Sequence, residues 1–162
     1  MKGLVLFRSW YGNTQRVAEH MAQQIVTLGH EAAALDLREK LPDLTAVDFV
    51  IIGAPTRMAG VTGKATSVLK QLNKARFIKP VAIFDLYGPI PADPVELEKG
   101  KKWLYPGAAG KMLDEAKKQG LNLYPETLRI EVKGMEGPVA EGDMEKAAGW
   151  VRDFVTWIDK NK

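Results

Sequence analysis

The sequence predicts a doubly wound α/β domain, a parallel sheet with helices on both faces. Short apolar runs alternate with helical patterns along all 162 residues. Most of the runs are continuously apolar, as strands covered on both faces are. No internal repeat or linker divides the chain, so one domain spanning residues 1–162 is expected.

Gly3–Phe7 (GLVLF) is the first strand-like run. Asn13–Leu28 follows with Val17, Met21, Ile25 and Leu28 at helical spacing, closed by Gly29. Ala32–Leu37 predicts a second strand and Asp43–Ala46 a short connector. Asp48–Gly53 (DFVIIG) is the most β-branched strand candidate. A helix is expected over about Thr62–Asn73, then a strand over Pro80–Leu86. Pro89–Pro106 holds four prolines and Gly100, which predicts a long loop with one helical turn at Val95–Lys99. Helix resumes over about Ala108–Gln119 and stops at Gly120. Leu128, Ile130 and Val132 alternate within a fifth strand, Thr127–Val132. After the glycine-rich Gly134–Gly142 stretch, Asp143 is the expected N-cap of a last helix running to about Asp159.

Composition narrows the chemistry. The chain has no cysteine, which removes disulfides, thiolate metal sites, iron–sulfur ligation and cysteine nucleophiles. No apolar run approaches the roughly 20 residues of a membrane span. The strand-like start without a signal-type segment makes a cytoplasmic location the expectation. The net charge of +3 comes from 23 basic and 20 acidic residues spread along the chain. Its densest basic stretch, Lys99–Trp103, is short and preceded by Glu96 and Glu98, so no nucleic-acid partner is expected. His20 and His30 lie apart and make no metal site. Trp150, Phe154 and Trp157 read as core contacts of the last helix. The methionines Met21, Met112, Met135 and Met144 read as core fillers.

In doubly wound sheets, ligands bind beyond the carboxyl ends of the strands, which directs attention to Arg8–Thr14, Ala54–Gly60 and Tyr87 onward. The first of these joins a strand to a helix. First-turn amides have no intrahelical partner, and the helix dipole adds about half a positive charge, so this is an anion site. Ser9 and Thr14 bring hydroxyl donors, and Gly12 permits close backbone approach. The loop has neither GxGxxG nor GxxxxGK[ST]. The pairs Gly63–Lys64, Gly100–Lys101 and Gly110–Lys111 fail the longer motif too, which sets nucleoside-triphosphate hydrolysis aside.

Ser9-Trp10-Tyr11-Gly12-Asn13-Thr14 resembles the phosphate loop of the flavodoxin-like family, hydroxyl-x-x-Gly-x-Thr. Gly53-Ala54-Pro55-Thr56-Arg57 resembles that family's Gly-x-Pro-Thr/Ser stretch, and Tyr87-Gly88 falls where it presents an aromatic to the flavin. The resemblance implies strand order 2-1-3-4-5 and non-covalent FMN. It implies hydroxyl donation to the phosphate by Ser9, Thr14 and Thr56, with amides from Tyr11, Gly12, Asn13 and Thr14. Pro55 would stop the strand beside the ring, and Met58, Ala59 and Gly60 would offer backbone groups to it. Tyr87 would stack on it, next to Gly88, with Trp10 at its border.

Arg57 departs from many electron carriers of the family and looks more like the flavodoxin-like NAD(P)H:quinone reductases, whose next residue, a phenylalanine, is Met58 here. Pro89–Pro106 stands as an insertion carrying Trp103 and Tyr105 on the flavin side. The resemblance thus implies an FMN electron-transfer protein serving a redox partner protein or a small electron acceptor. An FMN-dependent NAD(P)H:quinone-type oxidoreductase and a flavin-free interaction module are the alternatives.

Overall fold

The computed structural model describes residues 1–162. Its sheet has five parallel strands in the order β2-β1-β3-β4-β5. These are β1 (Lys2–Phe7), β2 (Glu31–Asp36), β3 (Phe49–Pro55), β4 (Val81–Tyr87) and β5 (Leu128–Glu131). The helices are α1 (Asn13–Thr27), α2 (Gly63–Lys74), α3 (Pro94–Leu104), α4 (Gly107–Lys118) and α5 (Asp143–Lys160), with a 3-10 turn at Leu44–Ala46. Strand order and number agree with the expected fold, and outside α3 the boundaries lie within a residue or two of the sequence reading.

Period-two alternation divides the strand side chains between two cores. Val5, Phe7, Phe49, Ile51, Ala82 and Phe84 face α1 and α5. Leu4, Leu6, Val50, Ile52, Val81 and Ile83 face α2 and α4. On α1, Val17, Met21 and Ile25 lie buried one above another with Ala18 and Ala22. On α5, Trp150, Phe154 and Trp157 form an aromatic cluster with Tyr124, and Phe154 meets Phe49 edge-on at 5.5 Å. Gly3 and Gly53 are required by these rings. A Cβ at Gly3 would lie 2.4 Å from Phe49, and one at Gly53 would lie 2.0 Å from Phe84.

Two expectations are corrected. The stretch expected as a loop with one turn contains α3, eleven residues long. Asp93 accepts a hydrogen bond from the Glu96 amide, and Pro94 occupies the first turn, where it costs no hydrogen bond. The ion pairs Glu96–Lys99 and Glu98–Lys101 brace the exposed face. The residues read as breakers are therefore largely a helix start. Asp143 is the first residue of α5 rather than its N-cap, which is Gly142 in the left-handed region. The Asp143 carboxylate instead accepts the Glu131 amide at 2.7 Å, tying α5 to the end of β5.

Candidate functional site

At the carboxyl ends of β1, β3 and β4 lies a cleft of about 290 Å³. This is where the strand order reverses, between β1 and β3. Its walls bring together Ser9, Trp10, Tyr11, Asn13 and Thr14 from the first loop, Pro55, Thr56, Arg57 and Met58 from the second, and Tyr87 and Gly88 from the third. Gly12, Ala59 and Gly60 lie within these loops but do not line the cleft.

The first loop is built as an anion cradle. Gly12 adopts φ 89°, a left-handed turn that aims the start of α1 at the cleft. The Gly12 amide donates to Ser9 Oγ at 3.0 Å, which leaves that hydroxyl's own proton free. Arg16 is the first α1 residue whose amide meets a backbone acceptor, Gly12 O at 3.0 Å. The Asn13, Thr14 and Gln15 amides have no acceptor in the protein, and no side chain caps them. Asn13 and Thr14 are themselves buried. Converging amides, two hydroxyls and a helix N-terminus supply the neutral donors and positive end that a phosphate dianion needs.

Trp10, read as bordering the site, is half exposed at its mouth. The Arg8 and Arg57 guanidinium carbons lie 4.1 and 4.7 Å from its ring centroid. At an exposed ring such as this, cation–π contacts contribute about 0.5–1 kcal/mol each.

The second loop turns the Thr56 hydroxyl elsewhere and engages part of the Met58–Gly60 backbone, the Ala59 and Gly60 amides. Thr56 Oγ1 donates to Asp85 Oδ2 at 2.8 Å and accepts the Ala108 amide, so its proton is turned away from the cleft. Arg57 and Gly60 exchange two backbone hydrogen bonds, closing a tight turn with Met58 and Ala59 at φ 49° and 60°. The Ala59 amide donates to Trp103 O at 3.0 Å, so neither it nor the Gly60 amide is left for a ring. Two adjacent non-glycine residues in the left-handed region are strained, and the contact from α3 helps hold them there.

Behind the cleft lies a buried ion pair. Asp85 and Arg129 stand opposite each other in the β4–β5 register, both turned to the α4 side. Asp85 is fully buried and accepts from Arg129 Nε and Nη2 at 2.9 Å each, from Thr56 Oγ1 and from the Ala109 amide. Arg129 also donates to Leu104 O at 2.9 Å, while its guanidinium lies 3.9 Å from the Tyr87 ring centroid and 5.0 Å from that of Tyr105. Burial, and then the neighbouring Tyr105 phenol, push the Tyr87 hydroxyl above its usual pKa, with the Arg129 charge opposing. Gly107, at φ 71°, admits this network, because a Cβ there would sit 2.2 Å from Arg129 Nη2.

Sequence reasoning missed Asp85 and Arg129, although one aspartate inside the apolar run VAIFDLY is an available signal. It also missed Leu86, Pro89, Val132 and Met135, which complete the cleft. Met135 arrives on a short hairpin closed by the Val132–Val139 bridge. That hairpin rests on Asn13, whose amide lies where a Cβ at Gly137 would have to be. No three His, Asp or Glu side chains gather to hold a metal, and no helix is long and apolar enough to cross a membrane.

This sheet order, with a donor-rich loop after β1 and an aromatic after β4, defines a flavodoxin-type α/β protein. The flavodoxin domain model matches residues 4–104, and the chain belongs to the flavodoxin domain family. Among solved structures it is similar to a flavodoxin from the domain Archaea, with a TM-score of 0.76 and 18% identity over 98% of this chain and 99% of that one. Oxidised flavodoxin 1 from Bacillus cereus gives a TM-score of 0.68 and 20% identity over 96% and 98% of the two chains. Rubredoxin oxygen:oxidoreductase from Desulfovibrio gigas gives 0.73 and 16%, over 98% of this chain and 36% of its own. No sequence among the curated proteins matches.

Proposed function

We propose that the cleft binds FMN non-covalently and that the chain is an electron-transfer protein. The observation that carries this reading is the set of unpaired donors at the start of α1, lying beside the Ser9 and Thr14 hydroxyls. Ser9, Thr14 and the amides of Asn13, Thr14 and Gln15 would hold the phosphate. Trp10, Tyr11, Pro55, Met58, Tyr87 and Gly88 would border the ring and exclude water from it. Bound FMN would supply one- and two-electron redox chemistry, and the protein would fix its position and tune its potentials. The flavodoxins among the similar structures support the same reading.

A fluorescence titration of the apoprotein into FMN, with riboflavin as the control, tests it. Strong quenching of FMN emission and much weaker quenching of riboflavin are expected. Failure to bind either would leave a flavin-free interaction module as the better reading.

One observation favours a second reading, an FMN-dependent NAD(P)H:quinone-type oxidoreductase. A further cleft of about 280 Å³ adjoins the first and is walled by Gly100, Trp103 and Leu104 of α3. Steady oxidation of NAD(P)H with a soluble quinone would select the enzyme. Reduction only by a protein donor would select the carrier.

A further inference from the structure

We propose that the mouth of the cleft docks an acidic redox protein, an inference that rests on the carrier reading and names its kind of partner. Of the ten exposed large apolar side chains in the molecule, six lie on the segments that frame the mouth: Trp10, Tyr11, Met58, Trp103, Tyr105 and Met135. Met58 is 83% and Met135 76% exposed, although each also lines the cleft. Flexible methionines beside broad aromatic faces make an adaptable contact surface.

Charges of both signs surround this apolar ring, but those that form no ion pair are mostly positive. Arg8 and Arg57 lie against Trp10, and Lys102 Nζ lies 5.1 Å from the Trp103 ring centroid. None of the three has a carboxylate within ion-pair distance. The other cations on these segments do: Lys99 pairs with Glu96, Lys101 with Glu98 and Lys133 with Glu131. The carboxylates left over are Glu136, exposed beside Met135, and Asp93, engaged at the start of α3. The mouth therefore offers an apolar centre with three cations that form no ion pair against one free carboxylate, Glu136. Its complement is a protein whose cofactor lies under an apolar patch ringed by Asp and Glu. Opposite charge steers that encounter and fixes its register, whereas a basic partner would have to approach three unpaired cations. A bound phosphate dianion would offset most of the net charge of +3, so the preference rests on these local cations.

The test is chemical-shift mapping on the FMN-loaded, ¹⁵N-labelled chain. It is titrated with an acidic [2Fe–2S] ferredoxin and, separately, with a basic cytochrome c, at about 10 and 300 mM NaCl. The expected result is perturbation of Trp10, Met58, Trp103 and Met135 by the ferredoxin at low salt, with affinity falling at least about tenfold at high salt. Lys102→Glu should weaken ferredoxin binding several-fold and strengthen cytochrome c binding, with FMN affinity measured in parallel. Tighter binding of the basic protein, perturbation on another face or no salt dependence would overturn the proposal. So would binding of neither protein alongside rapid turnover of a small quinone. FMN quenching is measured first, and the titration is repeated on the apoprotein. Loss of FMN binding with the same ferredoxin footprint sinks the carrier reading alone. FMN binding without that footprint sinks the docking surface alone.

Discussion

Thr14 and Arg57 separate what would anchor the proposed flavin from what would tune it. The Thr14 hydroxyl has no partner in the protein, so Thr14→Val should leave the fold intact while removing one bond to a charged phosphate. Such bonds contribute about 1.5–3 kcal/mol, so FMN affinity should fall roughly 10- to 100-fold with little change for riboflavin, read by fluorescence titration. Arg57 makes no ion pair and stands at the cleft wall. A cation about 4 Å from the reduced ring, at an effective dielectric near 20, would contribute at most about 4 kcal/mol, and solvent screening leaves about 1–2. Redox titration of Arg57→Ala should therefore give a potential lower by several tens of millivolts. An unchanged potential would mean that the guanidinium serves only the Trp10 face.

Among the secondary-structure elements, α3 is the distinctive part, and two contacts fasten it. The Trp103 carbonyl accepts the Ala59 amide, and the Leu104 carbonyl accepts from Arg129. Arg129 thus links β5, β4, the end of α3 and the Tyr87 ring. Arg129→Gln would leave the Asp85 carboxylate buried without its counter-ion, an expected loss of about 3–5 kcal/mol in urea unfolding. Asp85→Leu combined with Arg129→Met should recover only part of that loss, because the second charge goes with the first while the Thr56 hydroxyl and the Ala109 amide lose their acceptor. In both variants, amide exchange over residues 94–104 should quicken, since α3 keeps only the Ala59 contact of the two.

For the molecule as a whole, ligand and fold are linked. If FMN binds the folded chain only, a concentration of about 100 times Kd adds about 2.7 kcal/mol. For a domain of this length that raises Tm by roughly 5–10 °C, and riboflavin at equal concentration should do much less. The layered architecture was legible in the sequence because every strand except β5 is a dense apolar run and every long helix repeats its apolar residues at helical spacing. The cradle was legible because its donors are contiguous in the chain. Neither condition holds for Asp85 and Arg129, which lie 44 residues apart and meet only once β4 and β5 are in register. The destination of the Thr56 hydroxyl depended on that hidden pair. α3 was obscured because Pro94 and Gly100 carry opposite meanings in a helix and in a loop, and only the Asp93 cap decides between them.

The four tryptophans divide between two environments, and that division makes the protein its own optical reporter. Trp10 and Trp103 are exposed about the cleft mouth, whereas Trp150 and Trp157 sit in the aromatic cluster of α5, packed on the sheet beside α1. Emission from the first pair should lie to the red and yield to acrylamide, while emission from the second stays blue and sheltered. A molecule settling at the mouth would dim the red component first. Thermal unfolding, by contrast, would move the blue one, so occupancy and integrity can be followed in a single spectrum without a label.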